Sequence, residues 1–185
     1  MAGSIIDRLN AAGLLTASYL EKLREEDEER KWRAEQVGES VRPDPIREGL
    51  PHLALLRLCD VGALIGGLTV DLDVRPDELL GPLQKTVGGD ALKMRAADVQ
   101  DGPPLRLTVH FIDHEETWEL EDLYPFVMNV NDLLKDDRKA KAMAILGEWE
   151  DSLQLWAVEK TRLAWMLQQD WFHPRNRHQL EAMVG

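Results

Sequence analysis

The chain of 185 residues has one cysteine, three phenylalanines and two tyrosines. No stretch approaches the roughly 18 uninterrupted apolar residues that a membrane-spanning helix needs. A single cysteine cannot close an internal disulfide, so no extracellular staple is indicated. The opening MAGSIIDRLN does not set a basic segment before an apolar one, and so reads as lacking a signal peptide. Basic residues are also in deficit: 22 Lys and Arg stand against 34 Asp and Glu, a net charge of −12. Phosphate binding rests on clustered Lys and Arg, which argues against nucleic acid as the main partner. These absences leave an acidic protein expected in the cytoplasm.

What is present is enough for a folded core. The sequence is 44% hydrophobic and holds six tryptophans, a composition unlike that of a disordered chain. The acidity is uneven. Residues 1–48 carry 8 basic and 11 acidic groups, residues 49–125 carry 6 and 14, and residues 126–185 carry 8 and 9. The surplus therefore sits in the middle third, and the ends are balanced mixtures of the kind found on solvated helices.

Patterning divides the chain into an N-terminal helical arm over 1–40, a linker over 41–51, a sheet-bearing α/β core over 52–119 and a C-terminal helical region over 120–185. In the arm, Ser4 is placed to cap a short helix that stops at Gly13, and Ser18 with Glu21 has capping-box spacing ahead of EKLREEDEERKWRAEQ. Charges there pair at one-turn spacing, as in Glu26 with Arg30, Asp27 with Lys31 and Glu29 with Arg33. The apolar seam is thin, with Leu20, Leu23, Trp32 and Val37, and fits either a solvated surface helix or an arm that touches a partner. The proline- and glycine-bearing GESVRPDPIREGLP marks the linker.

In the core, HLALLRLCDVGALIGG reads as a strand buried on both faces. LTVDLDV and PLRLTVHFID alternate as half-exposed strands, DELLGPLQKTV as a short helix, and ALKMRAADV as a further, roughly alternating segment. After Leu120 the pattern turns helical, with Pro125 expected to separate two helices near Tyr124. Leu146, Trp149, Leu153, Trp156, Leu163 and Leu167 are spaced as one face of a long helix, widened by Trp165 and Trp171. The fold class that results is α+β: a small mixed sheet with packed helices, a charged N-terminal arm and long C-terminal helices.

Each arrangement that chemistry would need is weak. His110 and His114 are four apart, but in a strand that separation is roughly 13 Å, and one ion cannot be held without a sharp turn between them. Asp113, Glu115 and Glu116 read as a hairpin tip, and Asp71 with Asp73 as neighbours on a solvated strand face. Cys59 lies in an apolar run beside Asp60, the opposite of the electropositive setting a reactive thiolate needs. Gly62, Gly66 and Gly67 lack the Lys-Ser/Thr of a phosphate-binding loop, and no serine sits in a nucleophile elbow. The chain is therefore expected to be no enzyme and to use no metal, cofactor or small-molecule substrate. Trp149, Trp156, Trp165 and Trp171 fit core or a protein contact better than a stacking platform for bases.

The order of segments resembles one family. LPHLALLRLCDVG is similar to the opening strand of the small subunit of the type VI secretion contractile sheath (TssB/VipA-like). LTVDLDVRPDELLGPLQ resembles that family's strand, aspartate and short helix, and GGDALKMRAADVQDGPPLRLTVHF its next two strands. In FIDHEETWELEDLYPFVMNVNDLLKDDRKAKAM, the residues Phe111, Trp118, Leu120, Tyr124, Pro125, Leu133, Leu134 and Arg138 stand at the patterned positions. The match spans roughly residues 50–146. It implies a divergent, non-enzymatic structural subunit that forms a heteromer with a larger homologous subunit around an inner tube. The alternative is a helical adaptor that recruits partner proteins through its terminal helices. Either assigns the partner contacts to Leu20, Leu23, Trp32, Trp149, Trp156, Trp165 and Trp171.

Overall fold

The computed structural model describes residues 4–41, 46, 50–169 and 171–184. The strands are β1 (Gly67–Asp71), β2 (Arg95–Gln100), β3 (Leu105–Phe111), β4 (His114–Leu120), β5 (Ala142–Trp149) and β6 (Ser152–Val158). The helices are α1 (Ile5–Ala11), α2 (Tyr19–Val37), α3 (Pro51–Asp60), α4 (Pro76–Val87), α5 (Leu123–Leu134), α6 (Lys160–Met166) and α7 (Pro174–Ala182), with a 3-10 turn over Gly89–Lys93. The fold is α+β, as expected. Its strands form two three-stranded sheets, β1–β6–β5 and β2–β3–β4. All the pairings among the described residues are antiparallel, which corrects the expectation of a mixed sheet.

In the β1–β6–β5 sheet, β5 and β6 are buried on both faces because they are apolar at nearly every position, whereas β1 buries only Val70. Met143 and Ile145 of β5, with Leu153, Leu155 and Ala157 of β6, face a core shared with α4, α5 and the β2–β3–β4 sheet. Ala142, Ala144 and Leu146, with Trp156 and Val158, face a second core built with α1, α3, α6 and α7. The β2–β3–β4 sheet has one buried face, carrying Leu107, Val109, Trp118 and Leu120, and one polar face where Arg106 pairs with Glu119 and Thr108 with Thr117. That is the alternation PLRLTVHF predicts.

The outer edge of β5 is closed by side chains. Asn131 of α5 accepts from the Met143 N–H and donates to the Met143 carbonyl, both at 2.9 Å. Asn176 of α7 accepts from the Ile145 N–H at 3.1 Å and donates to the Met143 carbonyl at 3.0 Å. Two buried amides thus stand in for a neighbouring strand on an edge that would otherwise expose unpaired backbone groups. At the start of the second sheet, Gly89 (φ +59°) lies so close to the backbone of Ala140 that a Cβ would come within 2.6 Å of its nitrogen. Asp137 closes the same turn by accepting from the Asp90 and Lys139 N–H groups. Burial opposes ionisation of Asp137, but these backbone donors outweigh it and hold the carboxyl below its usual range.

Four expectations are corrected. The segment read as a doubly buried strand is α3: Pro51 opens it, and Ala54 through Cys59 are buried all round, so no helical period survives in the sequence. The long Trp-faced helix is the β5–β6 hairpin, with Leu146 and Trp156 on one face of the sheet and Leu153 on the other. Pro125 does not divide two helices. It is the third residue of α5, where a missing N–H costs no intrahelical bond. The C-terminal helices are short, seven residues in α6 and nine in α7. At the N-terminus Ser4 forms the capping box with Asp7, whereas Ser18 starts α2 without a side-chain cap bond. The linker expected over 41–51 falls largely outside the described residues.

Candidate interaction surfaces

The residues singled out as partner contacts separate into two groups. Trp156 and Trp171 are internal, with ring centroids 6.4 Å apart, and the Trp156 Nε1–H donates to the Ile65 carbonyl at 2.9 Å. Trp149 is half-buried against the same core, and Trp165 packs edge-on to Trp171 with part of its ring at the surface. Arg8 of α1 lies over the Trp171 ring. The tryptophans are gathered by a hairpin, a helix and a loop rather than by one helix face. Leu23 is half-buried, while Leu20 and Trp32 are exposed.

Helix α2 buries none of its 19 residues. Its inner side is held by charge: Lys22 Nζ donates to the Gly62 carbonyl at 2.6 Å, and Arg57 of α3, 1% exposed, reaches Asp27 at 2.8 Å and Glu26 at 3.6 Å. Asp27 also lies 3.7 Å from Arg30, and Glu29 pairs with Arg33 one turn on. On the outer side Glu21, Glu25, Glu28, Trp32 and Glu35 recur at steps of four, three, four and three, and all are exposed. Spacing of that kind puts five side chains in one stripe. Trp32, 60% exposed, is therefore an indole set in a row of glutamates.

The residues considered for chemistry have structural roles. A two-residue turn does lie between His110 and His114, but His110 faces Glu115 while His114 is paired with Phe111, so the two rings are on opposite faces of the hairpin. Asp71 accepts from the Asp73 N–H at 2.9 Å and so shapes the end of β1. The Cys59 thiol is buried, donates to the Leu155 carbonyl at 3.2 Å, and is pushed up to about 12 by that burial. Among the described residues no three His, Cys, Asp or Glu side chains cluster as a metal site would require, and no helix is long and apolar enough to cross a membrane.

One feature was not legible in the sequence. A cleft of about 680 Å3 opens where the β1–α4 loop, the β2–β3 turn, the β4–α5 junction, the end of β5 and the start of α7 converge. Leu72, Val74, Pro103, Pro104, Leu105 and Leu123 give it apolar walls, and Asp73, Arg75, Glu121, Asp122, Glu148 and Arg175 ring it with charge. Arg75 is turned to Asp77 and Asp101, at 3.1 and 2.8 Å. Arg175 lies 4.6 Å over the Tyr124 ring and 3.5 Å from Asp122, whose other oxygen caps α5 by accepting from the Tyr124 N–H at 2.8 Å. The Tyr124 hydroxyl donates to Glu148 at 3.2 Å. Burial, and then the Glu148 carboxylate, push this phenol up to about 12, so it remains a donor at neutral pH. Asp122 as a helix cap was a readable signal. Glu148 was hidden by the helix assigned across residues 146–167, and no local pattern marks Arg175.

No protein-family model, no curated protein and no solved structure matches this chain at a significant level.

Proposed function

We propose that this chain is a non-catalytic, cytoplasmic protein-binding subunit whose partner is basic and covers the outer stripe of α2. The observation that carries this reading is the row Glu21, Glu25, Glu28, Trp32 and Glu35. A helix that is polar all round is expected either to bridge to another body or to depend on one-turn charge pairs, and α2 has only some of the latter. An exposed indole is a favoured anchor at protein interfaces, and the glutamates around it select a partner rich in Lys and Arg. The adaptor reading is preferred to the sheath-subunit reading, because the segment similar to that family's opening strand is α3. A larger sheath-like subunit remains one partner to look for.

The test is a zero-length carboxyl-to-amine cross-link in the native host, followed by tagged purification of the full chain. A stoichiometric partner joined through its lysines to Glu21, Glu25, Glu28 or Glu35 is expected, and Glu25→Lys with Glu28→Lys should abolish the link without changing the melting temperature. Cross-links that map elsewhere, or survive that double charge reversal, would overturn the reading.

A further inference from the structure

Given a basic protein partner, we propose that the cleft beside Tyr124 receives a segment of that partner carrying a lysine or arginine next to an apolar residue. The inference rests on the reading of the chain as a protein-binding subunit, and it names a second contact surface, away from α2. Its first basis is charge. The cleft is bordered by four carboxylates, Asp73, Glu121, Asp122 and Glu148, and by two guanidinium groups, Arg75 and Arg175. Arg75 is already spent on Asp77 and Asp101, and Arg175 on Asp122 and the face of Tyr124. Asp73 and Glu121 have no cationic partner among the described residues, and Glu148 accepts only from the neutral Tyr124 hydroxyl, with the His173 imidazole nearby. A neutral or anionic occupant would leave this imbalance in place, whereas a cation would satisfy it.

The second basis is shape. The walls are prolines and aliphatic side chains, so the occupant needs an apolar body as well as a charged tip, a description that fits the stem of Lys or Arg and a neighbouring Leu, Ile or Val. The volume lies within the about 300–1,000 Å3 of sites that enclose a ligand rather than glance against it. The third is rigidity. Asp73 and Glu121 lie in connecting loops, but the other charged groups stand on secondary-structure termini: Arg75 at the N-cap of α4, Asp122 at the N-cap of α5, Glu148 near the end of β5 and Arg175 in the first turn of α7. The Tyr124 phenol, packed beneath Arg175 and bonded to Glu148, holds the last two in place. A receptor set by such elements loses little conformational entropy when it is filled.

The experiment uses the full chain, labelled for amide NMR, and three probes: the acetylated, amidated peptides Leu-Arg-Leu-Arg-Leu and Leu-Glu-Leu-Glu-Leu, and agmatine, a small guanidine. The basic peptide is expected to shift the amides of residues 72–75, 102, 105, 120–124 and 148. Its affinity should fall about tenfold in a Glu121→Gln, Glu148→Gln variant with an unchanged melting temperature. Equal binding of the acidic peptide would overturn the proposal, as would shifts spread over the polar face of the β2–β3–β4 sheet. Agmatine binding as tightly as the peptide would assign the cleft to a small amine and overturn the peptide assignment. Cleft failure with α2 cross-links intact sinks this inference alone, and loss of the α2 cross-links sinks the reading beneath it.

Discussion

The Arg57 guanidinium, buried in α3, donates from Nη2 to Oδ1 of Asp27 in α2 at 2.8 Å. It is an ionic contact, with little apolar area, that docks the longest helix of the protein onto its body. Removing one partner of a buried pair leaves the other charge stranded, at a cost of about 3–5 kcal/mol. Asp27→Ala should fall at the low end of that range, because Glu26 stays within 3.6 Å of the same guanidinium. Arg57→Met, which keeps the stem's packing, should destabilise the body less while releasing α2. Urea denaturation reports the first effect, and protease cleavage confined to residues 19–37 reports the second.

Asn176→Ala should be among the most damaging single changes in α7. The substitution strips the Ile145 N–H of its acceptor and removes a donor from the Met143 carbonyl. With each unmatched buried group costing about 1–3 kcal/mol, the denaturation midpoint should drop markedly. Asn176→Asp should be no better, since it cannot donate and brings a charge into the core. An unchanged midpoint for the alanine variant would show that the amide does not close the sheet edge.

His173 should make stability fall on mild acidification. Burial, then the neighbouring His52 and Arg175, hold its pKa below the ordinary value of 6.5, with Glu148 acting in the opposite direction. The folded state thus binds fewer protons than the unfolded chain. The contribution of His173 is complete above pH 6.5 and is lost as pH falls through that value toward the folded pKa. Structure agrees with the sign, because His173 Nδ1 accepts from the Arg175 N–H at the start of α7 and cannot do so once protonated. A melting temperature that drops between pH 7.5 and 5.5, and drops less in His173→Asn, is the expected outcome.

Cys59 should be silent toward thiol reagents in the native state. Burial pushes its pKa from the ordinary 9.0 up to about 12, so the stability it contributes is present below pH 9 and is lost as pH rises from there toward 12. Labelling by a maleimide at neutral pH should track the rate of opening of the fold and become fast only in denaturant.

Ile112 occupies a left-handed conformation, φ +54°, at the tip of the β3–β4 hairpin, with half its surface exposed. A β-branched residue is ill suited there, and Asn tolerates it. Ile112→Asn should raise stability by about 1 kcal/mol, read as a higher melting temperature. No gain would mean that the exposed isoleucine makes a compensating apolar contact.

Apart from β4, whose start reads as a hairpin tip, elements that touch solvent on one side were legible in the sequence, and those buried all round were not. The alternation of Leu105, Leu107, Val109 and Phe111 gave away β3, and Leu79, Leu80 and Leu83 gave away α4 despite Gly81 and Pro82. In α3 and β5 there is no polar face to mark a period, and so a helix was read as a strand and a strand as a helix. Met143, Ala144 and Leu146 are ordinary helix formers; what fixes them as a strand is the pairing with β6 and the amides of Asn131 and Asn176, partners far away in the chain. The cleft shares that origin. Its lining comes from five separate segments, and no local pattern announces their meeting.

The burial of β5 and β6 on both faces has a further consequence. Neighbouring residues of β5 and β6 belong to different interiors, so a one-residue slip between them would not merely spoil one contact surface. It would send Met143 and Ile145 to the place of Ala142, Ala144 and Leu146, overfilling one compartment while emptying the other. Neither half of the molecule has a fallback arrangement without the other. The chain should therefore melt in a single step despite its two cores, and repair of a defect on one side has to be sought on both.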